Sequence, residues 1–241
     1  MKRAYLIEMT VIRDYSRQLF ALGVFVAACT CLGMQSVAAA PGVLTCMYFI
    51  MGALATSAYD EQNDWGLYRL TMPISRRDVV LGRYGVIATL GIMGMAAGLI
   101  GAIALSAIAT AAPLPGDLKA SLGLSPDNIQ AMVFSCALCA IVGSGVAAIE
   151  EPVYFRFGQT KATQWIPMIS VFLFIGPMVI LGATGGLDNF AGIADAIRDI
   201  FAFIETPLGV TVSLVVALCI AAVFLGISAA VSLKLYEKRE L

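Results

Sequence analysis

Six long apolar runs dominate this chain and limit what it can fold into. They cover about residues 18–37, 42–59, 84–112, 128–149, 165–184 and 207–233. A helix that crosses a bilayer needs about 20 consecutive, mostly apolar residues, and each run meets or approaches that length. Only 13% of the residues are charged, against roughly 25% in soluble domains. The sequence therefore predicts an all-α integral membrane protein, a single domain with six transmembrane helices.

The positive charges indicate how these six spans are oriented. An even number of spans places both termini on the same face. Of the 15 Lys and Arg residues, all but Lys119 and Arg198 fall on that face, at the termini and in the connections at 60–83 and 150–164. Lys and Arg accumulate on the cytoplasmic side of membrane proteins. We therefore expect both termini and both connections to be cytoplasmic.

Several classes of function are excluded or disfavoured by composition. The chain contains no histidine, which excludes histidine-ligated metal sites and Ser-His-Asp triads. A formal net charge of −1 argues against a nucleic-acid partner, which requires a basic surface. All six cysteines lie in apolar runs, where small packing residues are expected rather than metal ligands. No credible catalytic cluster is present, which disfavours a membrane enzyme.

Charge is also missing from the middle of the membrane. No ionisable residue falls in the middle third of any predicted span. Charges at that depth are costly and mark ion pathways and proton relays. Their absence disfavours an ion channel or a proton-coupled transporter, so energy for any transport would come from outside the membrane.

The N-terminal segment at 1–17 predicts an amphipathic helix. Its charged residues share one arc of a helical wheel and most of its apolar residues the other, although Leu6 and Glu8 fall on the wrong sides. Such a helix lies along the headgroups and turns into the first span as an elbow. An ordinary frayed leader is the alternative. The acids Glu8 and Asp14 argue against a cleaved signal peptide.

The first connection, residues 60–83, is longer and more charged than a turn requires. A short helix around Trp65 is expected to end at Pro73. Ser75, followed three residues later by Asp78, then predicts an N-cap for the third span. Two interpretations remain open from these residues: docking of a soluble partner or anchoring in the aromatic belt of the membrane.

Two other segments between spans carry structure. In the second connection, residues 150–164, Pro152 is expected to end the fourth span and Gly158 to permit a turn; an ordinary membrane-surface loop is the alternative. The outer segment, residues 186–206, has apolar residues at helical spacing, and we expect short helices there that re-enter the outer leaflet. Its apolar positions include Phe190, Ile193, Ile197 and Phe201.

Small residues recur along two of the predicted spans. Gly91, Gly94, Gly98 and Gly101 follow one another along the third span, and Gly143 and Gly145 lie in the fourth. Glycine at such spacing lets helix backbones approach closely. We expect tight interhelical contacts at these positions.

The connections resemble a known family. Glu61 and Trp65, then Leu70-Thr71-Met72-Pro73-Ile74-Ser75-Arg76 and Arg83-Tyr84, are similar to the signature of permease subunits of ATP-binding-cassette exporters of the type-2 membrane class, in its compact bacterial branch. Pro152, Tyr154, Phe157-Gly158 and Lys161-Ala162 resemble a second pattern of that family. Thr71-Met72 departs from it, since a leucine commonly precedes the proline. The resemblance extends over essentially the whole chain.

The resemblance implies a role for each segment. The first connection would form a coupling helix that seats in a groove of the nucleotide-binding subunit, which favours docking over belt anchoring. The implied contact residues are Glu61, Asp64, Trp65, Tyr68, Arg69, Pro73, Ser75, Arg76, Arg77, Arg83 and Tyr84. Those of the second connection are Glu151, Pro152, Tyr154, Phe157, Gly158 and Lys161. Re-entrant outer helices before the last span are implied as well.

The resemblance also implies partners. The chain contains no G-x-x-x-x-G-K-[ST] loop, so ATP and Mg²⁺ would be bound by a separate ATPase subunit. Two permeases, identical or different, would pair with two ATPases in a bacterial cell membrane. Spans without buried charge favour an amphipathic or hydrophobic cargo such as a peptide, toxin or drug-like compound. The alternative is a scaffold or immunity protein that binds membrane-active peptides without pumping them.

Overall fold

The computed structural model describes residues 2–62, 65, 68, 71–111, 116–158 and 206–237. These residues form α-helices joined by short turns, and no strand occurs among them. In chain order the helices are α1 (Lys2–Val11), α2 (Arg13–Met34), α3 (Ala39–Glu61), α4 (Arg76–Ala111), α5 (Gly116–Leu122), α6 (Pro126–Phe157) and α7 (Pro207–Glu237).

Five of these helices, α2, α3, α4, α6 and α7, are long and apolar enough to cross a membrane. They correspond to the first four predicted spans and the sixth. The predicted fifth span, 165–184, lies outside the described residues, and so does the outer segment up to residue 205. The all-α class and five of the spans are therefore confirmed.

The prediction that Pro152 ends the fourth span is wrong. α6 continues through Pro152 to Phe157, so residues 150–157 of the expected second connection are a helix packed in the bundle. α6 ends instead at Gly158, whose φ of 76° is in the left-handed region that favours glycine. The turn predicted between Gly158 and Lys161 lies outside the described residues. The reason α6 tolerates its proline is found in a neighbouring helix.

The N-terminal helix is shorter than predicted and packs on protein. α1 ends at Val11, and Ile12 is buried at the joint with α2, against Val86 and Leu90 of α4. Arg13, Asp14 and Arg17 therefore belong to the start of α2, not to the N-terminal helix. Leu6 is exposed and Glu8 is buried, because α1 turns the Glu8 side of the helix toward the bundle.

The glycines of α4 lie where neighbouring helices come closest, as predicted. A Cβ added to Gly94 would lie 2.5 Å from the Cβ of Tyr48 on α3, and one added to Gly98 would lie 2.5 Å from the Cα of Pro41. At Gly101 the nearest atom is Ala27 Cβ of α2, also at 2.5 Å. No side chain fits in these gaps, so this stripe packs α4 directly against α3 and α2.

The start of α4 has the predicted capping arrangement. The backbone N–H of Asp78 donates to Ser75 Oγ at 3.1 Å, and the Ser75 hydroxyl lies 2.9 Å from Asp78 Oδ2. Ser75 therefore satisfies one of the N–H groups that the first turn of a helix leaves without a partner.

Replacing Ser75 with alanine is expected to lower the free energy of unfolding by about 1 kcal/mol, because the cap is lost while the helix remains. Denaturation of the purified chain in detergent measures this change. Ser75→Asn, which keeps a capping oxygen, is the control and should retain most of the stability. Equal losses for both variants would contradict the capping role.

Candidate functional site

Five helix ends meet at one end of the bundle, here called the charged end. They are α1, the C-terminal end of α3, the N-terminal end of α4 and the C-terminal ends of α6 and α7. The first connection joins α3 to α4 at this end, so the predicted contact residues and the buried charges of the protein lie close together.

Two aromatic residues of the first connection are described. Trp65 and Tyr68 are both helical, with ring centroids 5.6 Å apart. Tyr68 is 59% exposed. Trp65 is half-buried, and its indole N–H has no hydrogen-bond partner among the described residues. Tyr68 thus presents an exposed aromatic ring, while the indole N–H of Trp65 is buried.

The connection is fixed to the bundle where it enters α4. Arg76 donates from one guanidinium nitrogen to the backbone carbonyls of Tyr236 and Glu237, at 3.1 and 3.3 Å, and its Cζ lies 5.6 Å from the centre of the Tyr236 ring. A cation near the C-terminal carbonyls of a helix is favourable. Arg76 therefore ties the first turn of α4 to the last turn of α7.

Two turns further along α4, Arg83 is the centre of a buried ion cluster, defined as Arg83, Asp60 and Glu151. Arg83 pairs with Asp60 of α3 and lies 3.6 Å from Glu151 Oε2 of α6. Its guanidinium also lies over the ring of Phe155, 4.6 Å from the ring centre. One cation thereby joins three helices.

The ion cluster is deeply buried. Side-chain exposure is 3% for Arg83, 0% for Glu151 and 20% for Asp60. Thr56 Oγ1 lies 3.3 Å from Glu151 Oε1, and Glu8 and Glu150 are also buried nearby. Removing one partner from such a pair is costly, because it leaves a charge without water or counterion. The arrangement of these helix ends therefore depends on Arg83.

The tolerance of α6 for Pro152 has a local cause. Proline lacks the N–H that would bond the carbonyl of Ala148, four residues earlier. In this protein that carbonyl accepts a hydrogen bond from the Ser228 hydroxyl of α7, at 2.5 Å. The backbone group freed by the proline is thus satisfied from a neighbouring helix, as membrane interiors require.

The same serine is held by Tyr84. The Tyr84 hydroxyl lies 2.6 Å from Ser228 Oγ and 2.9 Å from Ser232 Oγ. A serine hydroxyl has one proton, and that of Ser228 is directed to Ala148. Tyr84 therefore donates to Ser228 and accepts from Ser232. We call this chain of hydroxyls (Tyr84, Ser228, Ser232 and the Ala148 carbonyl) the hydroxyl chain.

An apolar groove of about 520 Å³ lies between α6 and α7, next to the hydroxyl chain. Its walls include Gly145, Ala148 and Pro152 of α6 and Phe224 of α7. Ser228 contributes the only side-chain hydroxyl among the described lining residues. The groove is suited to a hydrocarbon or other apolar group.

The predicted contact residues divide into two sets. Those at the surface or partly exposed are Glu61, Trp65, Tyr68, Pro73, Ser75, Arg76, Arg77, Pro152, Phe157 and Gly158. Those inside the bundle are Arg83, Tyr84, Glu151 and Tyr154. Asp64, Arg69, Lys161, Phe190, Ile193, Ile197 and Phe201 lie outside the described residues. The buried set cannot meet a soluble protein while the helices keep this packing.

Several residues of the charged end were not predicted from the sequence: Asp60, Glu150, Thr56, Ser228 and Ser232. For the two serines the sequence did contain a signal. Ser228 and Ser232 are spaced four apart in an otherwise apolar helix, which places both on one face. Glu8, which misfits its helical wheel, was the corresponding signal in α1.

A family model described as "ABC-2 family transporter protein" matches residues 8–237, nearly the whole chain. No curated protein sequence and no solved structure matches.

Proposed function

Since the chain belongs to the ABC-2 family of transporter proteins, we propose that it is the membrane subunit of an ATP-driven exporter and that its first connection docks a separate ATPase subunit. Membership of the family makes the chain a multi-pass membrane permease without an ATPase domain of its own. Permeases of this family generally pair with ATPase subunits. ATP and Mg²⁺ are then bound by that partner.

The observation that carries the proposal is that the first connection is braced at both ends. Asp60, at its α3 end, pairs with Arg83, and Arg76, at its α4 end, bonds the last turn of α7. Trp65 and Tyr68 lie between these two fixed points. A partner that binds the aromatic pair would therefore dock between two points that are fixed to α4 and α7.

The finer features of the proposal follow from the sequence. We propose six spans, an N-terminal elbow helix, and re-entrant outer helices in the segment 186–206. The excess of Lys and Arg at the charged end favours a cytoplasmic position for that end and for both termini, and we propose a bacterial cell membrane as the location. Two permeases, identical or different, form the transport path with two ATPases.

The proposed cargo is amphipathic or hydrophobic, such as a peptide, toxin or drug-like compound. The groove between α6 and α7 supports this proposal, because its walls are apolar and its volume of about 520 Å³ is in the range of small-molecule sites. A hydrophobic segment of the cargo is the occupant that this lining favours.

Trp65→Ala tests the docking. Large aromatic residues, tryptophan above all, are typical of the residues that dominate protein interfaces. We expect the variant to lower the affinity for the ATPase subunit by about tenfold or more. The measurement is the amount of ATPase that co-purifies with the tagged, co-expressed permease, together with the ATPase activity of the complex. Arg69→Ala is expected to act in the same direction.

Phe25→Ala is the matched control, because it removes an exposed aromatic side chain from the surface of α2, away from the charged end. It should leave co-purification unchanged. Undiminished assembly and activity in Trp65→Ala would indicate that Trp65 is a membrane anchor. Absence of any ATPase from the wild-type preparation would favour a scaffold or immunity protein instead.

A further inference from the structure

We propose that Pro152 is a hinge within α6, and that Arg83 and Tyr84 of α4 form a latch that holds the hinge straight. The inference rests on the proposed function, because the force that releases the latch comes from the docked ATPase subunit. It assigns to Arg83 and Tyr84 a positioning role inside the bundle instead of direct contact with the partner.

The hinge follows from the backbone of α6. Pro152 removes one bond from the helical ladder, and helices bend most readily at such positions. Beyond Pro152 the helix continues only to Phe157 before Gly158 ends it. This last segment is therefore joined to the rest of α6 by a weakened ladder, and contacts from other helices decide its direction.

Two consecutive residues of α4 form the latch, because both are connected to α6 close to Pro152. Arg83 reaches the side chain of Glu151, the residue before the proline. Tyr84 acts through Ser228 on the Ala148 carbonyl, which is the group that the proline leaves without a partner. Because Arg83 and Tyr84 are consecutive, one displacement of α4 weakens both connections.

A movement of the first connection reaches Arg83 and Tyr84 along α4. Arg76 marks the start of α4 and lies about two helical turns before Arg83. The helix is continuous between these residues, so a shift of its first turn moves Arg83 and Tyr84 with it. Phe155, beyond the hinge, contacts both the Arg83 guanidinium and the Tyr236 ring, so the last segment of α6 is released when those contacts separate.

The hinge affects transport through its effect on the groove between α6 and α7. Ala148, Pro152 and Ser228 belong both to the hinge region and to the walls of the groove between α6 and α7. A change of angle at Pro152 therefore changes the shape of the groove. The latch thus links the movement of the first connection to the site proposed for the hydrophobic part of the cargo.

Pro152→Ala tests the hinge. Alanine restores the N–H that bonds the Ala148 carbonyl, so the variant should fold at least as well as the wild type. The readout is hydrogen–deuterium exchange of residues 153–158 in the permease–ATPase complex, with and without Mg²⁺ and a non-hydrolysable ATP analogue. In the wild type we expect nucleotide to accelerate exchange by about fivefold or more, the factor that corresponds to one net hydrogen bond. In Pro152→Ala the acceleration should be lost, and exchange is measured on the fraction of the variant that retains the ATPase subunit.

Ser228→Ala and Tyr84→Phe test the latch. Each removes one hydroxyl of the hydroxyl chain, so residues 153–158 should exchange faster than in the wild type even without nucleotide. Ser213→Ala is the matched control on the same helix, because the Ser213 hydroxyl bonds the Val210 carbonyl of α7 itself. Exchange of residues 153–158 should be unchanged in that variant.

The outcomes separate the hinge from the proposed function. If the ATPase co-purifies but nucleotide leaves residues 153–158 of the wild type unaffected, the hinge is overturned and the docking proposal stands. Persistence of the nucleotide effect in Pro152→Ala would likewise overturn it. If no ATPase binds the wild-type chain, both proposals fail together.

Discussion

Replacing Arg83 with glutamine is expected to destabilise the bundle by about 3 to 5 kcal/mol, the cost of removing one partner from a buried ion pair. Glu151 is fully buried, and Arg83 is its only cationic partner among the described residues. Glutamine is neutral and shorter than arginine, so it cannot compensate the negative charge of Glu151. The loss is measured as the change in the free energy of unfolding in detergent, or as the fraction of folded protein after extraction.

A double variant identifies the origin of the loss. In Arg83→Gln/Glu151→Gln the buried carboxylate is neutral, and Asp60, which is partly exposed, still reaches water. We expect the double variant to regain about 2 kcal/mol relative to Arg83→Gln, which is a normal coupling energy for residues in contact. No recovery would mean that the loss comes from packing of the Arg83 side chain rather than from the unpaired charge.

Arg13→Gln is the control for loss of positive charge. Arg13 is exposed at the start of α2, and substitutions at such positions usually change stability by less than about 0.5 kcal/mol. A loss equal to that of Arg83→Gln would show that net charge, and not the ion cluster, determines stability.

Gly98→Leu is the second substitution for which we expect a large effect, a loss of at least about 3 kcal/mol. The first atom of the new side chain would lie 2.5 Å from Pro41 Cα, which belongs to the backbone of α3 and cannot rotate away. α3 and α4 would have to separate, and contacts along the whole glycine stripe would weaken. Unfolding in detergent measures the loss.

Gly226→Leu is the matched control, since no described atom lies within 4 Å of a Cβ at that position of α7. Both substitutions replace glycine with leucine in a long apolar helix, so differences in helix propensity cancel. We expect Gly226→Leu to be near neutral or slightly stabilising. Similar losses in both variants would contradict the close approach at Gly98.

Local rules predicted part of the candidate site correctly. Ser75 and Asp78 form the expected cap because capping involves atoms only three residues apart. The glycine stripe of α4 was predicted from spacing alone, because a helix face without side chains has few uses other than close packing. Gly158, where only a turn was expected, ends α6 instead of Pro152, because glycine adopts positive φ without strain.

The same kind of rule was wrong at Pro152, for a physical reason. Proline kinks or breaks a helix because it removes one backbone hydrogen bond and its ring crowds the carbonyl four residues earlier. Here Ser228, distant in the sequence, supplies a donor to that carbonyl, and nothing near Pro152 indicates it. Arg83 and Tyr84, which the motif marked as contact residues, lie in the interior of this chain, where they join helices.

The sequence by itself determined the membrane class, the positions of five confirmed spans and the family, because apolar length, charge asymmetry and motif spacing are properties of consecutive residues. Only the tertiary structure decided which polar groups meet. Arg83 pairs with carboxylates on two other helices, and Ser228 completes the backbone of a third. Burial among apolar helices makes these partnerships obligatory, but it is the packing of the helices that selects the partners.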